Sequence, residues 1–155
     1  MMADIPGDAA AAAPSDAAVA AWIALNRAQR AVLGAVETEL RRAGFPPLAW
    51  YDALLELRRA GEAGLRPMAL ERAMLLAQHN LSRLVDRLEA AGHVARAPCP
   101  EDGRGQILRI TEGGRALLAA MWPADAAAIQ RHLGRMLTEA EAAALAALLR
   151  RVVGS

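Results

Sequence analysis

The sequence contains no lysine, a single cysteine and only five aromatic residues among its 155 positions. All 18 basic residues are therefore arginine, and 17 acidic residues reduce the formal net charge to +1. This balance excludes a uniformly basic, histone-like nucleic-acid binder but not a local basic surface. One cysteine cannot form an internal disulfide, which favours a reducing, cytoplasmic setting. No run approaches the roughly 20 strongly apolar residues of a membrane span, and Asp4 and Asp8 stand where a secretory signal would be basic.

Alanine is the abundant residue, with 39 occurrences. Because alanine is the best helix former and a poor strand former, the composition predicts a mostly helical protein. The three histidines, His79, His93 and His132, are scattered, and neither an HExxH nor a CxxC spacing occurs. No nucleophile is paired with a base in a recognisable motif, so we expect no enzyme, no cofactor and no metal site.

The N-terminal third is predicted to consist of a tail and two helices. Residues 1–15 are rich in Ala, Asp, Gly and Pro and are expected to form a flexible tail. Asp16 stands at a helix N-cap position, and apolar residues repeat at helical spacing until Gly44 and Pro46 end the helix, which occupies residues 16–46. A second helix follows and presents four residues on one face: Trp50, Ala53, Leu54 and Leu57.

The middle of the chain predicts a winged helix-turn-helix. Residues 69–74 and 78–91 read as two short helices separated by a tight step, and Gly92 ends the second one at the position that favours glycine. Residues 93–97 and 106–111 are short segments that can alternate between buried and exposed side chains, and the stretch between them is rich in turn formers. This order indicates a helix-turn-helix followed by a two-stranded β-hairpin, the wing.

Two further helices are predicted after the hairpin. Thr111 can cap the first of them, which contains Pro123 and is expected to kink there. Thr138 and Glu141 have the spacing of a capping box and open the last helix. The predicted fold is therefore mostly α, with a winged helix-turn-helix region at residues 47–115 and helices on both sides of it.

The helix predicted at residues 78–91 carries the candidate DNA-reading surface. Residues 66–115 hold eight Arg against six acidic residues, a net charge of +2, whereas residues 1–65 hold six against eight, a net charge of −2. With its apolar stripe turned to the core, the helix has a polar outer face with the residue types that read adenine and guanine in the major groove. The candidate contacts are Gln78, His79, Asn80, Ser82, Arg83 and Arg87. The alternative is that any amphipathic helix has a polar outer face.

The loop of the hairpin supplies two more candidates. Arg104 lies at a Gly-flanked tip, from which a lone arginine can enter the narrow minor groove. Asp102 is placed to pair with that arginine and hold its direction; the alternative is an ordinary solvated turn. Cys99 lies in the same loop, where an exposed thiol near positive charge would be a candidate redox trigger. A single surface cysteine with no resolving partner is more often incidental.

From Leu48 to about Leu118 the chain resembles the MarR family of bacterial transcription regulators. The most specific stretch is NLSRLVDRLEAAG at residues 80–92, followed by PEDGR at residues 100–104, LRIT at 108–111 and WYDALL at 50–55. The resemblance implies an obligate homodimer built from the helices at residues 16–46 and 116–155, and a repressor that binds a pseudo-palindromic operator. It also places Arg83 on the recognition helix, Ser82 against phosphate or base, and Arg104 in the minor groove with Asp102 as its partner.

Two positions depart from the family pattern. Ala77 stands where the family usually has a Ser or Thr helix cap, so the recognition helix is predicted to lack that cap. Gly103 replaces a commonly basic wing residue, which should remove one phosphate contact per subunit and weaken nonspecific binding.

The resemblance also implies a response to a small molecule. Family members usually bind small, often aromatic or phenolic, molecules between the dimerisation helices and the winged helix. Trp22, Trp50 and Tyr51 would line such a pocket here, and Arg27 would meet a carboxylate. The alternative is that these aromatics are packing anchors. Two other functions stay open: an interaction or dimerisation module that does not read DNA, and a thiol-responsive regulator that uses Cys99.

Overall fold

The computed structural model describes residues 12–154, which form six α-helices and one two-stranded antiparallel sheet. The elements are α1 (Asp16–Arg42), α2 (Leu48–Ala60), α3 (Pro67–Ala73), α4 (Leu81–Ala90), β1 (Val94–Pro98), β2 (Gln106–Ile110), α5 (Glu112–His132) and α6 (Glu139–Val153). The mostly helical winged fold is thus confirmed. Of the predicted tail, residues 12–15 have no regular secondary structure, and residues 1–11 lie outside the described part of the chain.

Helix α1 contains the boundary between two compact units, which falls between Ala31 and Val32. The prediction that Asp16 caps this helix was wrong, because Asp16 is already its first residue. The cap is Ser15, whose Oγ accepts a hydrogen bond from the N–H of Ala18 at 3.1 Å. A serine hydroxyl satisfies a free N–H of the first turn as well as an aspartate does.

The second unit, which begins at Val32, contains two apolar clusters. The larger one fills the space between α2, α3, α4, the hairpin and the start of α5. Its fully buried members are Ala53, Leu54, Leu57, Leu70, Leu88, Leu108 and Leu118. The smaller one joins the C-terminal part of α1 to α5 through Val36, Leu40, Met121 and Ala128. The apolar face predicted for α2 is the centre of the larger cluster.

The hairpin is attached through the middle of β2 to the connection between α2 and α3. Its two strands pair in the register Val94↔Ile110 to Pro98↔Gln106. Leu65 and Leu108 exchange two backbone hydrogen bonds, of 3.0 and 2.8 Å, in an isolated bridge beside β2. Gly64 has φ +65°, and a Cβ at this position would lie 2.5 Å from the Leu108 carbonyl oxygen. Only glycine allows this approach.

Helix α4 begins later than the sequence predicted. Its first residue is Leu81, and Asn80 is the N-cap, with Oδ1 accepting the N–H of Arg83 at 3.0 Å. The predicted start at residue 78 was wrong. The Ser or Thr cap usual in the family at position 77 is absent, as its replacement by Ala77 predicted, and Asn80 caps the helix instead. An Asn side chain competes with the backbone for hydrogen bonds, so it ends helical periodicity at the position that it caps.

The C-terminal end of α4 matches its prediction. Gly92 has φ +83°, and the N–H of Gly92 donates to Glu89 while the N–H of His93 donates to Leu88, both at 2.9 Å. These two bonds form a Schellman motif, which needs a left-handed residue after the helix. The glycine therefore turns the chain directly from α4 into β1.

The two C-terminal helices are capped as predicted. Thr111 Oγ1 accepts the N–H of Gly114 at 3.1 Å, and α5 continues as one helix through Pro123. The Thr138 hydroxyl accepts the N–H of Glu141 at 3.2 Å, and the Glu141 carboxylate accepts the N–H of Thr138 at 2.8 Å, which completes the capping box. None of the helices that the structure describes is long and apolar enough to span a membrane.

Candidate nucleic-acid interface

Three of the predicted DNA contacts lie in the turn before α4 and not on the helix, because α4 starts at Leu81. These three are Gln78, His79 and Asn80. His79 and Asn80 are exposed, whereas Gln78 is half-buried. The Nε2 atom of Gln78 donates to the carbonyl of Leu76 at 3.3 Å, so this amide belongs to the framework of the turn. Asn80 uses Oδ1 for the cap, which leaves its amide N–H groups free to face a partner.

The exposed face of α4 carries the other three helix candidates, Ser82, Arg83 and Arg87. Its opposite face is buried through Leu84, Val85 and Leu88. Within residues 12–154, neither Arg83 nor Arg87 forms an ion pair. Both guanidinium groups are therefore available to an acceptor outside the chain, such as a base edge or a phosphate.

Arg96 was not among the residues predicted from the sequence, and it connects α4 to the hairpin. From strand β1 its guanidinium group makes a short ion pair with Asp86, and its Nε atom lies 3.8 Å from the Glu89 carboxylate. Asp86 and Glu89 are three residues apart and therefore lie on one face of the helix. This acidic spacing, followed by an arginine in the next strand, is the signal that could have predicted the connection.

Two shallow clefts lie beside Arg96. One, of about 180 Å³, lies between α4 and the hairpin and is lined by Ser82, Asp86 and Gln106 among others. The second, of about 330 Å³, lies along the hairpin and includes Arg104. Polar side chains of α4 and of the wing thus border a continuous stretch of surface.

The wing loop is closed by its own hydrogen bonds. The N–H of Cys99 donates to the Gly105 carbonyl at 2.8 Å, and the N–H of Arg104 donates to Asp102 Oδ1 at 3.1 Å. The other oxygen of Asp102 lies 3.9 Å from a guanidinium nitrogen of Arg66. Asp102 therefore orients Arg104 through the backbone, and the predicted pairing of the two side chains is replaced by a contact with Arg66. The side chain of Arg104 is exposed at the tip.

The expectation of an exposed thiol was wrong. Cys99 is buried, and a guanidinium nitrogen of Arg66 lies 3.1 Å from its sulfur. The positive charge that we expected near the thiol is thus present, but the loop folds back on the sulfur and shields it from solvent. Arg66, which precedes α3, supports the wing loop at two points, and no local pattern in the sequence predicts contacts to residues 33 and 36 positions later.

The four predicted ligand-pocket residues fall in both compact units. In the first unit, Trp22 and Arg27 are exposed. In the second, Trp50 makes an edge contact with His93, with ring centroids 5.9 Å apart, whereas Tyr51 stacks on Trp122 at 6.2 Å. Trp50 and Tyr51 therefore contact different partners.

A buried carboxyl group lies near Tyr51. Asp125 on α5 is only 4% exposed, and burial raises its pKa. Burial also raises the pKa of the Tyr51 hydroxyl, and the negative charge of Asp125 adds to that effect. The burial of Asp125 could not be predicted from the sequence, because a single acid inside a helical pattern normally faces solvent.

The histidines do not meet at one site. His79 is exposed, His93 contacts Trp50, and His132 bonds to Glu39 at 2.6 Å. The hydrogen bonds from His132 and then Arg131 lower the pKa of Glu39 and connect α1 to α5 within the second unit. Among residues 12–154, no group of three or more His, Cys, Asp or Glu side chains is placed to hold a metal ion.

Comparison with known proteins agrees with this architecture. A family model described as "MarR family" matches residues 43–105. The multiple antibiotic resistance protein MarR of Escherichia coli (strain K12) is 31% identical over 105 residues, which are 68% of this chain and 72% of that protein. The HTH-type transcriptional regulator MhqR of Bacillus subtilis (strain 168) is 30% identical over 132 residues, 84% of this chain and 88% of that protein.

A solved structure extends the comparison to the fold. The crystal structure of a MarR family transcriptional regulator from Streptomyces coelicolor, in complex with DNA, is similar with a TM-score of 0.79 and 26% identity. The match covers 90% of this chain and 91% of that one. Sequence relatives over two thirds of the chain and a shared winged fold lead to one conclusion: the chain belongs to the MarR family of winged helix-turn-helix transcriptional regulators.

Proposed function

We propose that this protein is a homodimeric repressor that binds a pseudo-palindromic DNA operator and is released from it by a small aromatic or phenolic molecule. The observation that carries the proposal is a set of three exposed arginines without an ion pair among the described residues: Arg83 and Arg87 on α4, and Arg104 on the wing. All three lie within residues 66–115, the segment with a net charge of +2. The similar Streptomyces coelicolor regulator was crystallised with DNA.

Helix α4 is proposed to read the major groove with its N-terminal half. Arg83 has the fork geometry that suits guanine, and the free amide N–H groups of Asn80 can donate to adenine. Ser82 and His79 lie beside the free N–H groups of the first turn, where the helix dipole favours phosphate. A bidentate contact of this kind discriminates against a wrong base by about 1–3 kcal/mol.

The wing is proposed to place Arg104 in the minor groove. Asp102 fixes the loop from which this arginine projects, because it accepts the backbone N–H of Arg104. Arg66 in turn lies beside Asp102. Gly103 adds no charge next to Arg104, so nonspecific affinity should be lower than in relatives with a basic residue there.

A second copy of the chain is proposed to cover the apolar residues that this chain leaves exposed. On α6 these are Leu145, Leu148, Val152 and Val153, and on α1 they are Val19, Trp22, Ile23 and Leu25. Exposed apolar patches of this kind mark interaction sites in soluble proteins. Light scattering should give twice the chain mass, and Leu148→Glu should shift it toward the monomer; a monomeric parent protein would contradict the proposal.

The small molecule is proposed to bind in the first unit, at an exposed aromatic residue of α1. Trp22 is 66% exposed. Arg27 is an exposed cation that suits the carboxylate of a phenolic acid. A thermal-shift screen of phenolic acids tests this part: a hit should raise Tm and weaken DNA binding, and Trp22→Ala should abolish both effects. If no phenolic acid changes either property, the proposed ligand class is wrong.

DNA binding is tested by fluorescence anisotropy with the promoter next to the gene that encodes the chain. Arg83→Ala and Arg104→Ala should each weaken binding, and affinity should fall steeply between about 50 and 200 mM salt because phosphates are neutralised. Arg42→Ala, at the end of α1, is the matched control and should bind as the parent protein does. If both arginine variants keep the parent affinity, α4 and the wing do not read DNA, and an interaction module becomes the better description.

A further inference from the structure

We propose that Asp52 is a positioning residue for DNA recognition, because it fixes the turn that leads into α4. This inference rests on the proposed operator binding and adds a residue that makes no contact with DNA itself. Asp52 lies on α2, is only 6% exposed, and faces the connection between α3 and α4. Nothing in its local sequence predicts this role.

Each oxygen of the Asp52 carboxyl group accepts one backbone N–H of the turn. Leu75 donates to Oδ1 at 3.0 Å, and Leu76 donates to Oδ2 at 2.7 Å. Among the described residues, no other hydrogen bond reaches the N–H groups of residues 75–79. Within residues 12–154 the turn therefore has no ladder of backbone hydrogen bonds, and the Asp52 carboxyl group is the one acceptor for its N–H groups.

The position of this turn determines where the candidate DNA contacts begin. Gln78 bonds to the carbonyl of Leu76, and Asn80 caps α4 through the N–H of Arg83. The bonds to Asp52 are thus the first in a short series of hydrogen bonds that ends at the N-terminal turn of α4. A shift of the turn moves the residues that must reach base edges, whereas phosphate contacts tolerate a small displacement.

The burial of Asp52 makes this arrangement costly to disturb. A buried donor or acceptor that loses its partner bears the full cost of leaving water, and hydrogen bonds to charged groups are the stronger ones. Asp52→Asn keeps the size of the side chain but presents an NH₂ group to one of the two N–H donors. One hydrogen bond is then replaced by a contact between two donors, and the turn must move to relieve it.

The experiment uses the full chain and a duplex that the parent protein enriches from a random-sequence pool, with a scrambled duplex of equal length for comparison. For Asp52→Asn we expect binding to the enriched duplex to weaken about tenfold or more, since 1.4 kcal/mol corresponds to tenfold and a charged hydrogen bond contributes at least that much. Binding to the scrambled duplex should change by less than about threefold, because it depends on phosphate contacts. Amide exchange at Leu75 and Leu76 should accelerate.

A second variant removes a donor instead of the acceptor. Leu75→Pro deletes one of the two N–H groups, and the preceding residue, Met74, already has the extended conformation that proline requires, with φ −61° and ψ 140°. Leu75→Ala is the matched control, because it removes the same exposed side chain but keeps the N–H. Asp125→Asn is a second control, since it neutralises another buried acid that does not contact the turn. Leu75→Pro should weaken binding to the enriched duplex as much as Asp52→Asn does. Both control variants should bind that duplex as the parent protein does.

The outcomes separate this inference from the proposed function. If the parent protein enriches no duplex, operator binding is refuted, and this inference falls with it. If the parent protein enriches a duplex that Asp52→Asn and Leu75→Pro bind equally well, this inference alone is refuted. Equal weakening of both duplexes together with a lowered Tm also refutes it, because Asp52 would then support the fold and not the reading of sequence.

Discussion

The N-cap of α4 allows a direct test of how this surface is built. Asn80→Ala removes the Oδ1 atom that accepts the N–H of Arg83 at 3.0 Å and leaves that N–H without a partner in the protein. Asn80→Asp keeps an acceptor at the same position and adds a negative charge. The two variants therefore separate the capping role of residue 80 from its proposed role in DNA binding.

The size of the effect follows from the exposure of the cap. Asn80 is exposed, so water replaces part of the lost bond, and an N-cap change to alanine typically costs about 1 kcal/mol, within a range of about 0.5–2. In a chain of 155 residues, 1 kcal/mol shifts Tm by about 2–4 °C. Asn80→Asp should be at least as stable as the parent protein, because a carboxylate at the N-terminus of a helix contributes about 0.3–1 kcal/mol.

Urea unfolding and anisotropy should be measured on the same preparations. Asn80→Ala is expected to lower the free energy of unfolding. Asn80→Asp should keep that free energy but weaken duplex binding, because a carboxylate cannot donate a hydrogen bond to adenine and its charge is repelled by the DNA. Ala77→Ser serves as the control. It introduces a capping residue at the position favoured by the sequence pattern, but Ala77 lies in the turn, so stability should change by no more than about 0.5 kcal/mol.

The opposite pattern of stabilities would refute the capping role of Asn80. Suppose that Ala77→Ser raises the free energy of unfolding by about 1 kcal/mol, as a new N-cap would, and that Asn80→Ala leaves it unchanged. Then α4 begins near residue 78, and the hydrogen bond at Asn80 does not stabilise the protein. If Asn80→Asp binds DNA as tightly as the parent protein, the Asn80 amide does not donate to a base.

Three further predictions concern other parts of the second unit. Arg96→Leu should lower the free energy of unfolding by no more than about 1 kcal/mol, because Asp86 is exposed and its ion pair with Arg96 is screened by water. The same variant should weaken duplex binding severalfold. If anisotropy shows the parent affinity, Arg96 does not connect α4 to the hairpin in a way that matters for binding. Asp125→Asn should stabilise the protein at neutral pH. Burial raises the pKa of this acid, so the parent protein loses stability as pH rises through the raised value, and the advantage of the variant should vanish at pH below the usual carboxyl range. Gly64→Ala should cost more than about 2 kcal/mol in urea unfolding, because its Cβ would lie 2.5 Å from the Leu108 carbonyl; a neutral effect would refute the close approach.

Features set by neighbouring residues could be predicted from the sequence. The capping box at Thr138, the cap at Thr111 and the left-handed Gly92 each depend on hydrogen bonds within one turn of helix. The apolar faces of α2 and α4 follow from helical spacing alone. These signals were enough to give the order of elements, and the family resemblance then gave the function class.

Features set by distant residues could not be predicted in this way. Asp52 accepts N–H groups that lie 23 and 24 positions later, and Arg66 contacts a sulfur 33 positions away. The start of α4 was misplaced because residues 78–80 fit the helical spacing, and only the Asn80 side chain ends it. Cys99 was expected to be exposed because its loop is polar, but burial depends on how the loop folds over Arg66.

The hairpin is attached at mid-strand and closed where its loop begins, which leaves the tip of the loop open to evolutionary change. Leu65 bonds to Leu108 in the middle of β2, and the N–H of Cys99 bonds to the Gly105 carbonyl at 2.8 Å where the loop begins. Residues 100–104 lie beyond both attachments and are exposed, and Asp102 contacts Arg66 at 3.9 Å. After a gene duplication, the copies can therefore diverge at these positions without losing their fold, and a tip that keeps Asp102 can be taken from another regulator and grafted between the same two strands.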